Sequence, residues 1–435
     1  MNDAALLPFQ TAFDPPQLLE GSLDPLGLYP IADALGVRLA PGVRERQRTP
    51  RFLTLALIGH SICQGMDEDQ RPNTLPAWLV FEWLVVVSLV QQLEGSDDLK
   101  GIPGREKVKE ALRHEGKVCV SNYLKTPSVF GFHGIYRVLG VKAGLFDDSG
   151  RILFAGRDVL QAWRQDQRVD ADGASVLQRI RGLVEQGQRH AAVVAPPKAI
   201  REWIAAHLNP YRPGKHEKDA LWNVLVGMDE LRGQYATLLI SEEGQRAWRA
   251  ANGSESRYHA SLGALAHLEM RLHLSAIQRF ERLARALLDA FDEARARMTV
   301  ESGAVDSGWL AQGECMRELA SNGGVLFKDA LAALEEEPGA RDRLERQLGW
   351  MAEPSSAKAF AAMLVAHHER VQRNKPPGGK RPWIDLMGNG RMAVRRQFEV
   401  TDFAARGGEY VHAYRTVPIW QFATDLGRVR QERRS

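Results

Sequence analysis

The residues best suited to chemistry lie in "VQRNKPPGGKRPW", residues 371–383, where cations flank two prolines and two glycines that carry no polar side chain. Two prolines favour an extended conformation without N–H donors, and Gly378-Gly379 permits close approach of another molecule to the main chain. Lys375, Lys380 and Arg381 flank that glycine pair, whose N–H groups we expect to be free. Free N–H groups and fixed cations suit an anion. The segment therefore predicts a clamp for a phosphate backbone, with Trp383 available to stack on a base.

The chain beyond this clamp continues the mixture of basic and aromatic residues. "RMAVRRQFEV" supplies Arg395 and Arg396 in a β-like alternation, and "EYVHAYRTVPIWQF" places Arg415 among two tyrosines and a tryptophan. Such interleaving suits nucleic acid. Two other interpretations stay open. A Pro-Pro-Gly-Gly stretch also suits an interdomain linker, and aromatic residues at strand spacing also suit a hydrophobic core.

Common catalytic motifs are absent from the sequence. It has no GxxxxGK[ST] phosphate loop, no GxGxxG after a strand and no GxSxG serine elbow. A metal-dependent nuclease centred on Asp385 and Glu399, with Lys380 upstream, is a possible alternative, although a β-hairpin with charged edges explains the same residues. We predict no catalytic residue, no metal ligand and no cofactor.

Two groups of histidines could bind a metal by their chemistry, but their spacing in the sequence is not that of metal ligands on a helix. His267 and His273 are six residues apart, which is not the i, i+4 spacing of a helical zinc pair. His367 and His368 are adjacent and point to different faces of a helix. We expect these histidines at helix surfaces or interfaces.

Residues 104–165 predict two helices followed by a hairpin. "GREKVKEALRHEG" is amphipathic, "VFGFHGIYRVLGVKAGLF" has apolar residues at helical spacing, and a turn sequence, "DSG", lies between two β-prone pieces. This is the element order of a winged helix, whose second helix enters the major groove of DNA. The candidate contacts are Lys125, His133, Arg137, Lys142 and Arg151. Winged helices also serve as protein-interaction modules, so that interpretation stays open.

The charge is unevenly distributed along the 435 residues. The net charge is only +3, yet residues 370–435 contain 14 Lys/Arg and 6 Asp/Glu, so the remainder of the chain is mildly acidic. A basic end on an acidic body indicates a polyanionic partner. Three widely spaced cysteines fit a reducing cytoplasm, and the N-terminus lacks the pattern of a secretion signal. The apolar run 75–93 contains Glu82 and predicts a buried core helix, so we expect no membrane association.

The sequence predicts a mainly α, multi-domain helical protein with a winged-helix-like unit and a small basic α/β C-terminal module. We divide it into an extended N-terminal arm with one short helix at 1–50, a helical plus winged-helix-like domain at 51–168, a helical domain at 169–370 and a basic C-terminal module at 371–435. The division follows Pro/Gly-rich loops and the shift in charge.

Four segments carry a resemblance to a known group of proteins. "GIPGREKVKEAL", "NYLKTPSVFGFHGIYRVL", "VQRNKPPGGKRPW" and "YVHAYRTVPI" resemble a family of uncharacterised bacterial proteins encoded in phage-defence and restriction-like islands. The resemblance implies a context and no reaction, and it supplies no catalytic residues. Defence-system proteins such as a helicase, nuclease or methyltransferase are the partners it implies.

Together these features predict a cytoplasmic, non-catalytic component of an anti-phage defence or restriction-like system that binds duplex DNA with little sequence preference. The alternatives are the metal-dependent nuclease and an assembly scaffold without nucleic-acid contact. A continuous basic face favours DNA binding, and carboxylates clustered beside Lys380 favour the nuclease. Scattered cations with a large apolar patch favour the scaffold.

Overall fold

The structure is a computed structural model, and it describes residues 24–66, 74–169, 171–227, 230–301, 303–353, 355–376, 378–387 and 389–429. The chain is mainly helical, which confirms the predicted fold class. The α-helices are α1 (Tyr29–Leu39), α2 (Phe52–Cys63), α3 (Ala77–Gln92), α4 (Arg105–Glu115), α5 (Pro127–Phe130), α6 (Phe132–Lys142), α7 (Phe154–Gln167), α8 (Ala171–His190), α9 (Lys198–His207), α10 (Lys215–Gly227), α11 (Glu230–Ile240), α12 (Glu242–Ala250), α13 (Glu255–Ser261), α14 (Leu268–Glu301), α15 (Ser307–Leu310), α16 (Glu314–Ala333), α17 (Pro338–Leu348), α18 (Ala357–Arg373) and α19 (Thr416–Asp425). The strands are β1 (Lys117–Cys119), β2 (Ala192–Val194), β3 (Ile384–Leu386) and β4 (Met392–Val394).

The chain divides into two compact units. The first unit contains residues 24–35 and 254–413, and the second contains 36–253 and 414–429. These boundaries differ from the four predicted segments, because the segments 169–370 and 371–435 each contribute to both units. In the second unit the Tyr235 hydroxyl on α11 lies 2.7 Å from the Thr416 hydroxyl at the start of α19, which joins the end of the chain to that unit.

The second unit is built around α3. Thirteen of its residues are buried, and α2, α4, α8 and α9 pack around it. Pro76 precedes the helix, where its missing N–H costs no hydrogen bond. A helix that is apolar on all sides is buried on all sides, so the predicted core helix is confirmed. Among the residues that the structure describes, no helix is long and apolar enough to cross a membrane.

The first unit is built along the long helix α14. Its buried face includes Ile277, Phe280, Leu287 and Phe291, which follow the i, i+3, i+4 spacing of an amphipathic helix. Helix α16 packs along α14, and α18 packs on α15 and α16. Strands β3 and β4 form an antiparallel hairpin, which confirms the β-hairpin interpretation of this sequence. The hairpin also contacts α14.

Helices α4 and α6 are the two helices predicted within residues 104–165, and the short helix α5 lies between them. Strand β1 follows α4 but pairs with the distant β2, with Lys117 opposite Val194. The segment predicted as a hairpin forms an antiparallel bridge between Phe146 and Ile152, outside any named strand. The winged-helix assignment stays a prediction.

The N-terminal segment is packed from residue 24 onward, so the prediction of an extended arm is wrong there. The short helix predicted within it is α1, and Leu28, Ile31, Leu35 and Leu39 are buried at helical spacing. The high Pro and Gly content suggested an extended chain, but these apolar positions require a core.

Candidate nucleic-acid interface

Helix α6 is anchored at its N-terminus by a buried carboxylate from α3. Glu82 Oε2 accepts a hydrogen bond from the backbone N–H of His133 at 2.9 Å. Glu82 Oε1 accepts one from the Tyr123 hydroxyl at 2.8 Å. A Cβ atom at Gly131 would lie 2.0 Å from Glu82 Oε1, so the chain requires glycine where it meets the carboxylate. An acidic group at the N-terminus of a helix satisfies its unbonded N–H groups and complements its dipole.

An arginine-rich segment runs beside α6. We call residues 42–49, "GVRERQRT", the arginine segment. The side-chain amide of Gln47 donates to the carbonyl oxygen of Ile135 on α6 at 2.9 Å. The backbone N–H of Thr49 donates to the Tyr136 hydroxyl on the same helix at 2.8 Å. Because Gln47 and Thr49 lie 88 and 87 residues before their partners on α6, only the fold places the arginine segment against that helix.

The arginine segment and the region of α5 and α6 together present several cations to solvent. Their exposed cationic side chains, which we call the cationic surface, are Arg46, Arg48, Lys125, Arg137 and Lys142. The sequence contains no Asp or Glu from Lys117 to Phe146, the stretch that contains Lys125, Arg137 and Lys142. The guanidinium carbon of Arg46 lies 4.7 Å from the ring centre of Phe130 on α5, which connects the arginine segment to α5 as well.

Two of the predicted cations have acidic neighbours in the turn that follows α6. Arg137 lies 3.2 Å from the Asp148 carboxylate, and Arg151 lies 3.1 Å from that of Asp147. Both pairs are exposed to solvent, where an ion pair contributes only about 0–1 kcal/mol. A phosphate could therefore replace Asp148 at Arg137 at little cost, while Arg151 lies beyond the carboxylate-free stretch.

His133 is buried, so the prediction that it contacts DNA is wrong. Its ring stacks on Trp78 with 4.5 Å between ring centres, and its Nε2 lies 3.3 Å from Nε2 of His60. Burial, with smaller contributions from the nearby His60 and Arg137, lowers the pKa of His133 to about 3. The ring is neutral at physiological pH and belongs to the packing beneath α6.

The predicted phosphate clamp at residues 371–383 is largely occupied by contacts within the chain. The N–H of Gly379 donates to the carbonyl oxygen of Lys375 at 2.7 Å, so it is not free. The ammonium group of Lys375 donates to the backbone oxygen of Asp24. Trp383 stacks on Phe398 with 4.7 Å between ring centres and 9° between their planes. These polar and aromatic groups are used inside the first unit, and because the stretch belongs to that unit alone it does not connect the two units.

The other predicted residues of the C-terminal region have different environments. Arg381 and Arg396 are exposed, and Lys380 is half-buried. Arg395 donates its Nε to Asp385 at 3.0 Å, which neutralises it locally. Arg415 is 2% exposed and bonds to Glu45, so the prediction that it contacts nucleic acid is wrong.

The residues of the nuclease alternative do not come together as a ligand set. Asp385 is exposed and paired with Arg395, and Glu399 is exposed at the end of the turn that follows β4. In the described ranges, no group of three or more His, Cys, Asp or Glu side chains could hold a metal ion.

Three of the four histidines expected at surfaces or interfaces are buried instead. His273 and His367 donate to the backbone oxygens of Leu35 and Leu26, each at 2.9 Å. His368 Nδ1 donates to the backbone oxygen of Pro25 at 2.8 Å. Their three acceptors lie in the N-terminal part of the first unit itself, whereas His267 is exposed as expected.

A cavity of about 510 Å³ lies in the first unit between α14, α16 and residues 405–410. Arg285 holds one wall by donating to the backbone oxygens of Glu409 at 3.0 Å and Tyr410 at 3.1 Å. Cys315 lines the cavity, and burial together with four nearby carboxylates raises the pKa of its thiol to about 11. The thiol stays protonated at neutral pH and is a poor nucleophile.

Arg46 and Arg48 are not among the residues that the sequence predicted to contact DNA. The signal was present in "RERQRTPR", where the exposed Arg46 and Arg48 alternate with the buried Gln47. Such alternation is typical of a half-buried extended segment. The sequence does not show that the arginine segment forms part of the cationic surface, because this depends on the position of α6 beside it in the fold.

Comparison of the chain with protein-family models, curated proteins and solved structures finds no match.

Proposed function

We propose that the protein is a non-catalytic DNA-binding component that contacts the phosphate backbone of duplex DNA through the cationic surface. The observation that carries the proposal is the attachment of the arginine segment to α6 by the Gln47–Ile135 and Thr49–Tyr136 hydrogen bonds. This attachment adds two exposed arginines to the cations of the α5–α6 region. The resemblance to proteins of phage-defence and restriction-like islands supports a place in such a system, beside helicase, nuclease or methyltransferase partners.

The electrostatics of the surface support phosphate contact with little dependence on base sequence. A Lys or Arg that neutralises a phosphate releases a condensed counterion, and each such contact adds about −0.9 to the slope of log K against log salt concentration. The five residues of the cationic surface give an expected slope of about −4.5. Phosphate contacts position a protein on DNA but do not read the bases.

The test is the affinity for a fluorescein-labelled 20-bp duplex, measured by anisotropy across a range of salt concentrations. We expect the wild type to bind with Kd rising steeply with salt. Arg46→Ala, Arg48→Ala and Lys142→Ala combined should weaken binding to duplexes of different sequence about equally and reduce the slope by about 3. No binding at low salt and micromolar protein would overturn the proposal.

A matched control removes the same charge elsewhere in the second unit. Arg113, Arg189 and Lys198 are exposed and lie outside the arginine segment and the α5–α6 region. The combined Ala substitution of these three residues should leave the salt slope nearly unchanged. An equal loss in both triple variants would show that net charge, and not this surface, governs binding.

A further inference from the structure

An exposed aromatic ring lies within the cationic surface. Phe130 at the end of α5 is 44% exposed, and the adjacent Val129 and the α6 residue Val138 are 49% and 39% exposed. Large apolar side chains are usually buried, so three exposed ones beside five cations indicate contact with a ligand that is both anionic and apolar. Nucleic acid has this combination, with charged phosphates beside aromatic bases.

The environment of Phe130 suits stacking. The Arg46 guanidinium covers the ring at 4.7 Å from its centre, and part of the ring remains open to solvent. Aromatic rings and arginine planes in cationic grooves stack on nucleobases, because every base offers a π face. In the interior of an intact duplex the faces of each base are covered by its neighbours, so a surface ring stacks most readily on a base that has left the helix.

We propose that Phe130 is a base-contacting residue that stacks on an unpaired nucleobase while the surrounding cations hold the backbone. The inference rests on the proposed function, since the phosphate contacts bring the base to the ring. Its substrate is accordingly a nucleic acid with an unpaired nucleotide next to duplex, and an intact duplex lacks the stacking contact. Val129, which adjoins Phe130 in sequence, provides apolar contact for the displaced base or its sugar.

The experiment compares two labelled 20-bp duplexes, one fully paired and one with a single unpaired adenine at its centre. Wild-type protein should bind the duplex with the unpaired adenine about tenfold more tightly. Phe130→Ala and Phe130→Leu should abolish this preference and leave the salt slope unchanged, and Phe130→Trp should keep it. The leucine variant retains apolar bulk, so its result separates stacking from packing, and thermal melts confirm that each variant is folded.

Trp309 provides a matched control, because the Arg297 guanidinium covers its exposed ring at 4.8 Å from the ring centre but it lies in the first unit. Trp309→Ala should keep the preference. Equal affinity of the wild type for the two duplexes, or a preference that survives in Phe130→Ala, would overturn the inference. Either outcome would leave the phosphate-binding proposal intact as long as the triple Ala variant of Arg46, Arg48 and Lys142 still loses affinity for DNA. Absence of binding to both duplexes would overturn the proposed function itself.

Discussion

The carboxylate of Glu82 in the middle of the apolar helix α3 accepts the backbone N–H of His133 at 2.9 Å. It therefore caps α6, which carries two residues of the cationic surface. A buried carboxylate is costly unless it is hydrogen-bonded, and here Tyr123 supplies a second donor. The core of the second unit and the orientation of its candidate interface thus depend on the same side chain.

Removing this carboxylate should destabilise the second unit. Glu82→Ala leaves a helix N–H and the Tyr123 hydroxyl buried without their acceptor, and we expect the free energy of unfolding to fall by about 3 kcal/mol. Urea unfolding measures this loss. Glu110→Ala on the exposed face of α4 is the control, and its midpoint should stay close to that of the wild type. Similar stability of the two variants would contradict the capping role.

The same carboxylate should make stability depend on pH. Burial raises the pKa of Glu82 to about 7 from 4.5, although its hydrogen bonds oppose the shift. The folded state therefore holds the proton more tightly than the unfolded state. Its contribution is fully present below about pH 4.5 and is lost as the pH rises through 7. Relative to Glu82→Gln, wild-type stability should fall by about 3 kcal/mol between pH 4.5 and 8.

The neighbouring His60 and His133 make stability depend on pH in the opposite direction. Both the wild type and Glu82→Gln contain these histidines. Burial lowers the pKa of His60 to about 4 and that of His133 to about 3, so their contribution is lost as the pH falls below 6.5. The histidine contribution therefore cancels to first order when the unfolding free energy of Glu82→Gln is subtracted from that of the wild type. A difference that stays constant from pH 4.5 to 8 would exclude Glu82 as the titrating group.

The buried ion pair between Arg51 and Glu217 should be sensitive to the loss of one partner. Their side chains are 0% exposed, and Arg51 Nε lies 2.9 Å from the carboxylate. Arg51→Met leaves a buried carboxylate without its cation and should cost about 3–5 kcal/mol of unfolding free energy. The exposed Arg48→Ala, three residues earlier, should cost little.

The double variant Arg51→Met with Glu217→Leu tests whether the charge is the cause. It should be more stable than Arg51→Met, because no uncompensated charge remains buried. Recovery should be partial, since Arg51 also donates to the backbone oxygen of His207 at 3.0 Å. If the loss of unfolding free energy in the double variant equalled the sum of the losses in the two single variants, the coupling between Arg51 and Glu217 would be contradicted.

The first unit should lose stability in acid through His368. Its Nδ1 donates to Pro25, and its Nε2 accepts the N–H of Trp383 at 2.9 Å, so only the neutral ring fits both bonds. Burial lowers the pKa of His368 to about 4. Its contribution is present above pH 6.5 and is lost as the pH falls through 4. His368→Gln should remove about 3 kcal/mol of this dependence, whereas the exposed His267→Gln should leave it unchanged.

The accessible cations predicted in the C-terminal region should contribute less to DNA binding than the cationic surface. Lys380, Arg381 and Arg396 retain accessible side chains, but Gly379 and Lys375 use their donors within the chain. Their combined Ala substitution should weaken duplex binding less than that of Arg46, Arg48 and Lys142, when both are measured at the same salt concentration. The reverse ranking would place the principal interface at the C-terminal region.

The sequence by itself determined the mainly helical fold, the buried helix α3, the helices α4 and α6 and the hairpin of β3 and β4. Each depends on local periodicity and turn residues, which a short stretch of chain contains completely. The excess of cations and the carboxylate-free stretch from Lys117 to Phe146 are also properties of sequence.

Only the tertiary structure decided which cations face solvent. Arg46 and Arg51 belong to the same basic run, yet Arg46 is exposed and Arg51 is buried against Glu217, which lies 166 residues further along the chain. The presence of a charged residue in a sequence does not indicate whether a distant segment covers it in the fold. A charged side chain is buried only with a suitable partner, and the local sequence pattern cannot identify that partner. For the same reason His133 became a core residue, Trp383 stacked on Phe398, and the arginine segment became part of a surface with α6.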